Sequence, residues 1–269
     1  MRIMTSDDIK QVSLEVLDDI HDFCIKNNIR YSLSGGTLIG AIRHGGYIPW
    51  DDDIDIYMPR PDYERFLKSY KSSNKFKLFA KSLSNSEMVY ARVCEMEKTF
   101  VTSRLNFWTK EEKGVWIDIF PVDGAGDTYE EACKRAKVSR KLWTLTLKQR
   151  YSHIPFNILP SIPRKVLWIM RRIKCLGHDY IEEHDRLIRE KDFDSSAYVA
   201  DLAFMQYGIR EIHKKEIFSR FMLHKFEGRE YMITKDYDQF LRDTFGDYMQ
   251  LPPENERVPR HSFNEFYWK

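Results

Sequence analysis

The sequence predicts an α+β fold, in which a mixed sheet is flanked by helices and followed by a helical C-terminal part. Short apolar segments typical of strands fall in the first half of the 269-residue chain, between segments of helical periodicity. Helical patterns dominate from Asp179 onward. We therefore divide the chain into a catalytic core of mixed strands and helices at residues 1–130, an insertion at 131–178 and a helical C-terminal part at 179–269.

The individual elements follow from local signals. Apolar residues recur at helical spacing from Ile9 to Phe23, behind polar residues that suit a helix start. A glycine pair at 45–46 ends a second helix, and Pro61 suits the first turn of a third. The predicted helices occupy residues 6–27, 37–44 and 61–73, and the predicted strands occupy 29–36, 53–59, 75–82, 88–96 and 115–122. A further helix and a proline-rich loop are predicted within residues 235–261.

Composition excludes several classes of protein. The formal net charge of +2 is too small to indicate nucleic acid or membrane binding by itself. The four cysteines lack CxxC spacing, which favours a reduced compartment over a disulfide framework. The N-terminus lacks the apolar core of a signal peptide, and no run of about 18 uncharged apolar residues is present. We expect a cytoplasmic protein, soluble or peripheral on the inner face of the membrane.

A glycine pair lies where the second strand turns into a helix. Gly35 and Gly36, between Ser34 and Thr37, allow a ligand to approach the backbone closely. The free N–H groups of a helix start favour an anion such as phosphate. A tight turn that only packs helix on strand is the alternative interpretation.

Four aspartates occur within residues 51–55, a short loop after this helix. In an extended chain Asp51, Asp53 and Asp55 point to one side, whereas Asp52 points to the other. Carboxylates this close repel one another unless a cation intervenes, and Mg²⁺ prefers oxygen ligands. A solvated acidic turn is the alternative, but the flanking residues are too apolar for it.

One further acid stands in an apolar strand. Asp118 lies in a run that predicts a strand buried on both faces, where an acid must be paired or metal-bound. A salt bridge to an arginine is the competing explanation. A glycine turn, a D-x-D strand and a third acid on a later strand together form the metal site of the nucleotidyltransferase fold, where one or two Mg²⁺ ions bridge the phosphates of a nucleotide donor.

The segment YSLSGGTLIGAIRHGGYIPWDDDIDIYMPRPDYERF, residues 31–66, resembles the signature of the LicD family of phosphocholine transferases, whose wider relatives include fukutin and fukutin-related protein. The likeness continues through GVWIDIFPVDG, FGDYMQLPP and the RH pair near the C-terminus. Residues 131–178 carry little of it. The resemblance as a whole covers most of the chain.

The resemblance implies transfer of phosphocholine from CDP-choline to a sugar hydroxyl of a bacterial cell-surface glycan precursor, of the teichoic acid or lipopolysaccharide type. Mg²⁺ or Mn²⁺ would be the cofactor. Relatives transfer ribitol or glycerol phosphate, so the transferred group stays open. A templateless nucleotidyltransferase and a non-catalytic scaffold are the other classes. The IPWDDDID context argues against the first and the intact acids against the second.

The resemblance also implies residue roles. Asp53, Asp55 and Asp118 match the catalytic, metal-binding acids, and Asp51 would complete the metal shell. We expect Asp118 to act as the base for the incoming hydroxyl. Residues near the glycine turn would bind the donor phosphate, and they are Ser34, Gly35, Gly36, Thr37, Arg43 and His44. Arg43 and His44 could equally serve as cations at a helix C-terminus.

Aromatic residues in or beside the matched motifs are candidates for lining a choline site, because aromatic faces bind quaternary ammonium groups. They are Tyr47, Trp50, Trp116 and Tyr248. Packing in the core is the alternative for each of them. His261 is a candidate for lining the active site, with a surface histidine as the alternative.

The insertion at residues 131–178 has an uneven charge. No acid lies between Glu131 and Asp179, whereas twelve lysines and arginines do. Interleaved apolar residues make the segment suitable for lying on an anionic membrane, where a lipid-linked acceptor would be found. A helical insertion with a solvated basic face is the alternative. Nucleic acid is not expected, because no nucleic-acid motif accompanies the segment.

Overall fold

A computed structural model describes residues 2–103, 113–152, 161–174, 177–258 and 264–269. The helices are α1 (Ser6–Lys26), α2 (Gly35–His44), α3 (Arg60–Ser69), α4 (Tyr129–Ser152), α5 (Ile162–Lys174), α6 (Tyr180–Arg189) and α7 (Tyr237–Phe245). The strands are β1 (Arg2–Ile3), β2 (Ser32–Leu33), β3 (Asp55–Pro59), β4 (Phe76–Phe79), β5 (Ala91–Glu95), β6 (Thr99–Ser103), β7 (Trp116–Gly126), β8 (Tyr198–Ala200), β9 (Ile212–Lys214), β10 (Phe221–Phe226), β11 (Arg229–Thr234) and β12 (Asn264–Trp268). The predicted α+β class is confirmed.

The main sheet is mixed and has strand order β2-β3-β7-β5-β4. Strands β3 and β7 are parallel, and the other pairs along this order are antiparallel. The end of β7 continues into an antiparallel extension formed by β8 and β9. In the parallel pair Asp55 lies opposite Asp118, so the topology brings two of the predicted acids together.

Two predicted helices are confirmed with small shifts at their ends. The residue that caps the start of α1 is Thr5, not one of the polar residues after it. The Thr5 hydroxyl and the Asp8 carboxylate form a reciprocal capping box. Helix α2 begins at Gly35, two residues before the predicted start. It ends at His44 and is capped by Gly45, whose φ of 71° is the left-handed conformation that a glycine adopts at low cost.

Helix α3 is fixed to the sheet by a buried ion pair. Arg60 Nε lies 2.5 Å from Asp123 Oδ1, and Arg60 Nη2 lies 3.0 Å from Asp123 Oδ2. Both side chains are buried, and the fork-shaped guanidinium satisfies both carboxylate oxygens. This pair holds the start of α3 against β7, whose pocket-facing residues are described below.

The C-terminal part contains the helices α6 and α7 but also five strands that the sequence did not predict. Strands β10 and β11 form a hairpin whose two turn residues, Glu227 and Gly228, have φ values of 50° and 79°. Positive φ at both positions gives a tight turn whose twist matches that of the strands. The short strand β8 pairs with β7, and β9 pairs with β8, so local periodicity could not predict either strand.

The insertion divides into two helices of different character. Helix α4 packs on the core through Ala132, Ala136, Ser139 and Leu142, which are all buried. It therefore fits the alternative of a packed insertion, whereas α5 leaves most of its apolar residues exposed. In the described part of the chain, no helix is both long and apolar enough to cross a membrane.

Candidate active site

A cavity of about 1470 Å³ opens beside the N-terminal ends of β3 and β7. We call it the central cavity. One wall carries the aspartates that follow α2, another the pocket-facing side of β7, and a third comes from α4. Residues from Phe245, the last residue of α7, to Pro253 complete it. The core, the insertion and the C-terminal part thus all contribute to one site.

The aspartate run does not lie in a strand. The Asp51 N–H donates to the carbonyl of Ile48 in a turn (2.9 Å), and β3 begins only at Asp55. The prediction that Asp52 points away from its neighbours is therefore wrong. Asp51, Asp52 and Asp53 each bring a carboxylate oxygen within 4.8 Å of the others, so all three could contribute to one ion.

Asp55 is held by the residues around the glycine turn. Its N–H donates to Thr37 Oγ1 (3.0 Å), and its carbonyl accepts from the Ser34 N–H (3.0 Å). Burial raises the pKa of Asp55 well above its usual range, and the charges of Asp53 and Asp118 raise it further. Ser34 and Thr37 are buried and position this strand, which differs from the predicted contact with a phosphate.

The glycine pair makes room for these carboxylates. A Cβ on Gly36 would lie 2.3 Å from Asp51 Oδ2, which is closer than side-chain atoms pack. A Cβ on Gly35 would lie 3.7 Å from Asp55 Oδ2, and its φ of 53° favours glycine. Both glycines line the central cavity. Gly36 therefore makes room for Asp51, whereas Gly35 is favoured by its positive φ.

Asp118 has the arginine partner that was the competing explanation for it. Arg92, opposite it on β5, donates to both carboxylate oxygens, with Nη2 3.2 Å from Oδ2. The Trp116 indole N–H also donates to Oδ2 (3.2 Å). The expected burial of this strand on both faces is wrong, because Trp116 and Asp118 are half-buried and line the central cavity.

Two of the predicted cations have different positions. Arg43 lines the central cavity, and its Nη1 donates to the carbonyls of Tyr248 (2.6 Å) and Gln250 (3.2 Å). It thereby ties the segment after α7 to α2. His44 is exposed at the end of α2 and is absent from the described cavity lining, so a position at the helix C-terminus fits it better than a contact with phosphate. Partial burial and the neighbouring Arg43 lower the pKa of His44, which disfavours its cationic form.

The predicted aromatic residues also separate into two groups. Trp50, Trp116 and Tyr248 line the central cavity. Tyr47 is buried against Phe226 instead, with its hydroxyl donating to the carbonyl of Lys10 (3.3 Å), so core packing is its role. His261 lies outside the described residues. Sequence patterns did not point to seven further aromatic lining residues, namely Tyr90, Phe120, Trp143, Phe204, Tyr207, Phe245 and Phe266.

A cation on α4 was also missed. Arg150 lines the central cavity, and its Nη1 lies 2.7 Å from Met88 Sδ. Its Nε lies 3.5 Å from a Glu87 oxygen and is buried without a hydrogen bond among the described residues. Burial lowers the pKa of Arg150. Arg150 belongs to the basic insertion. Only the packing of α4 against the cavity distinguishes Arg150 from the lysines and arginines of that insertion that lie on the surface.

Comparison of the sequence with known proteins identifies the family of this chain. The family model described as LicD/FKTN/FKRP, nucleotidyltransferase domain, matches residues 28–163, about half of the chain. This segment includes the glycine turn, the aspartate run, β7 and α4. The chain belongs to the LicD family. The predicted resemblance is thereby confirmed.

Relatives within the LicD family cover the chain to different extents. The lipopolysaccharide cholinephosphotransferase LicD of Haemophilus influenzae is 30% identical over 97% of this chain and 97% of its own length. The ribitol 5-phosphate transferase FKRP of Homo sapiens is 61% identical over 28 residues, 10% of this chain and 6% of its own. An uncharacterized protein of Rickettsia typhi is 42% identical over 23% of this chain and 21% of its own length.

Proposed function

We propose that this protein transfers phosphocholine from CDP-choline to a sugar hydroxyl of a bacterial cell-surface glycan precursor. The observation that carries the proposal is the central cavity, which joins a carboxylate cluster to half-buried arginines and an aromatic wall. The relative that matches almost the whole chain is named a lipopolysaccharide cholinephosphotransferase. A lipopolysaccharide-type acceptor is therefore preferred over a teichoic acid.

The carboxylates suit a divalent cation. Oxygens of Asp51, Asp52 and Asp53 lie within 4.8 Å of one another, and hard cations such as Mg²⁺ and Mn²⁺ take oxygen ligands in such sets. We propose that Asp51, Asp52 and Asp53 hold the ion with Asp55, and that Asp118 completes the acidic wall beside them. A bound Mg²⁺ would neutralise charge on the donor phosphates.

The cations of the cavity suit the donor's phosphates. Arg150 is half-buried at the cavity wall, where a guanidinium and a phosphate would form charge-assisted hydrogen bonds. Gly35 and Gly36 present backbone close to the aspartates, so a phosphate oxygen can approach without a side chain in the way. We therefore assign donor binding to Arg150 and the glycine turn.

The aromatic wall suits the choline group. A quaternary ammonium has no hydrogen to donate and is attracted to aromatic faces. Trp50 and Tyr248 line the same cavity as the aspartates, and Arg43 holds the Tyr248 backbone in place. An alditol phosphate such as ribitol phosphate would instead require hydrogen-bonding partners for its hydroxyls.

The reaction requires one bond to form and one to break at phosphorus. The acceptor oxygen bonds to the phosphocholine phosphorus, the phosphoanhydride bond breaks, and CMP leaves. Both oxygens of Asp118 already accept hydrogen bonds from Arg92, so Asp118 is poorly placed to accept the hydroxyl proton. We therefore assign the proton to a carboxylate of the aspartate cluster and give Asp118 a positioning role.

A donor comparison tests this proposal. The protein is incubated with a sugar acceptor, Mg²⁺ and one donor at a time, and CMP release is measured with CDP-choline, CDP-ribitol and CDP-glycerol. ATP and CTP test for a nucleotidyltransferase. We expect turnover with CDP-choline. Turnover with CDP-ribitol or CDP-glycerol alone would make the protein an alditol phosphate transferase, which the FKRP segment match makes the second candidate.

A further inference from the structure

Helix α5 presents an apolar stripe to solvent. Five large apolar residues of this 13-residue helix lie on one side of it, since they follow one another by four, three, one and three positions. They are Ile162, Val166, Ile169, Met170 and Ile173, with exposures of 77%, 50%, 42%, 62% and 62%. We call this set the α5 stripe. Soluble surfaces seldom leave so many large apolar side chains together in water.

The opposite side of α5 faces the protein. Helix α4 is the main element that α5 contacts among the described helices and strands. Trp168, which lies away from the α5 stripe on the helix wheel, is half-buried, and the Arg172 guanidinium lies 5.3 Å from the centre of its ring. The helix is therefore held on the protein by one side, and the stripe faces outward.

The charge of this region restricts what can cover the stripe. Helix α5 carries five basic residues and no acid, and residues 132–178 together carry twelve basic residues and no acid. A second copy of the chain would bring the same positive charge to the interface. A bilayer with anionic lipids offers an apolar interior for the stripe and negatively charged headgroups for the basic residues.

We propose that α5 lies on an anionic membrane surface, with the α5 stripe inserted among the acyl chains and its basic residues at the headgroups. Helix α4, on which α5 packs, also supplies Leu147 and Arg150 to the central cavity. Membrane binding would thus bring one wall of the cavity near the bilayer. The proposal does not depend on which group the enzyme transfers, because vesicle binding requires no turnover.

Vesicle sedimentation with the full chain tests the proposal. The vesicles contain phosphatidylcholine alone or with about 30% phosphatidylglycerol, a fraction that gives an anionic surface. We expect binding to the anionic vesicles and much weaker binding to phosphatidylcholine alone. Raising the salt from about 0.1 M to about 0.5 M should weaken the anionic binding by about tenfold, because salt screens the attraction between lysines or arginines and the headgroups. Ile169→Glu should reduce binding by about tenfold or more, since it removes apolar insertion and adds repulsion.

A matched control uses Ile25→Glu on α1. Ile25 is 46% exposed, close to the 42% of Ile169, but lies outside the α5 stripe. Its binding should stay within about twofold of the wild type. Circular dichroism of both variants should report an intact fold, because both side chains are solvent-exposed. Light scattering of the free protein reports its oligomeric state.

Three results would overturn the proposal. The first is absence of binding to anionic vesicles. The second is equal loss of binding in Ile169→Glu and Ile25→Glu. The third is a wild-type oligomer that Ile169→Glu dissociates, which would identify a second copy as the occupant of the stripe.

Discussion

Replacing Gly36 with alanine should displace a carboxylate of the proposed metal site while leaving the helix that carries it intact. The new Cβ would lie 2.3 Å from Asp51 Oδ2 and 3.3 Å from Asp51 Cγ. Ordinary van der Waals separation requires the oxygen to recede by about 1 Å. Asp51 is a short side chain at the cavity wall, so it can rotate away, and the displacement falls on the carboxylate rather than the backbone.

The expected magnitudes differ for stability and activity. Gly36 is the second residue of α2 and has no positive φ, so alanine should favour the helix by at most about 0.5–1 kcal/mol, the value for a helix interior. The free energy of unfolding should therefore change by no more than about 1 kcal/mol. A displacement of about 1 Å in a group that positions reactants can reduce turnover by about a hundredfold.

A double-mutant cycle isolates the cause. CMP release from CDP-choline is measured for Gly36→Ala, Asp51→Ala and the double variant, with thermal unfolding of each. Once Asp51 is alanine, Gly36→Ala should cost no further activity, because the clashing oxygen is gone. Wild-type activity in Gly36→Ala, or an equal loss in both backgrounds, would refute this account of the glycine pair.

Three further predictions concern the site and the core. Asp53→Asn and Asp55→Asn should reduce turnover by about a thousandfold or more without lowering the melting temperature, and EDTA should stop the wild-type reaction until Mg²⁺ is restored. Near-normal turnover in either variant, or activity in EDTA, would contradict the metal site. Arg150→Met should raise KM for the CDP donor by about tenfold with a smaller change in kcat; an unchanged KM would remove Arg150 from donor binding. Burial lowers the pKa of His184 to about 4. Between about pH 7.5 and pH 5 the unfolded chain therefore binds the additional proton, and the wild type should lose about 2 kcal/mol of stability relative to His184→Gln. Parallel pH profiles of the two proteins in denaturant unfolding would contradict this.

The His184 prediction rests on its hydrogen bonds as well as its burial. Nε2 lies 2.8 Å from Ser139 Oγ and 3.1 Å from the carbonyl of Leu202. The Ser139 hydroxyl donates to the same carbonyl, so the ring nitrogen must be the donor and carries the proton. Nδ1 is buried and has no hydrogen-bond partner among the described residues. Protonation would therefore place an unpaired charge between α4 and α6.

Features set by short-range signals were predictable from the sequence. The apolar periodicity of α1, the glycines that end α2 and the start of α3 all act within a few residues, so the helices were found with small errors. The motif from the glycine turn to the aspartates was found for the same reason. Its side-chain directions were not, because the alternation argument requires an extended chain and the chain turns before Asp55.

Features set by distant pairing were not predictable. Arg92 and Asp118 are 26 residues apart and meet only because β5 pairs with β7. Arg150 contacts Met88, 62 residues away, through the packing of α4 against the cavity. The strands β8 and β9 are three residues each, too short for periodicity to identify. They are stabilised by pairing of β8 with β7 and of β9 with β8.

The measurement that tests the central claim most directly is donor choice by the wild-type enzyme. Purified protein with Mg²⁺ and a lipopolysaccharide-type sugar acceptor is given CDP-choline or CDP-ribitol, and both CMP and the modified acceptor are quantified. We predict acceptor-dependent CMP release from CDP-choline, with one phosphocholine found on the acceptor for each CMP. Transfer from CDP-ribitol without transfer from CDP-choline, or CMP release without a modified acceptor, would contradict the proposed function.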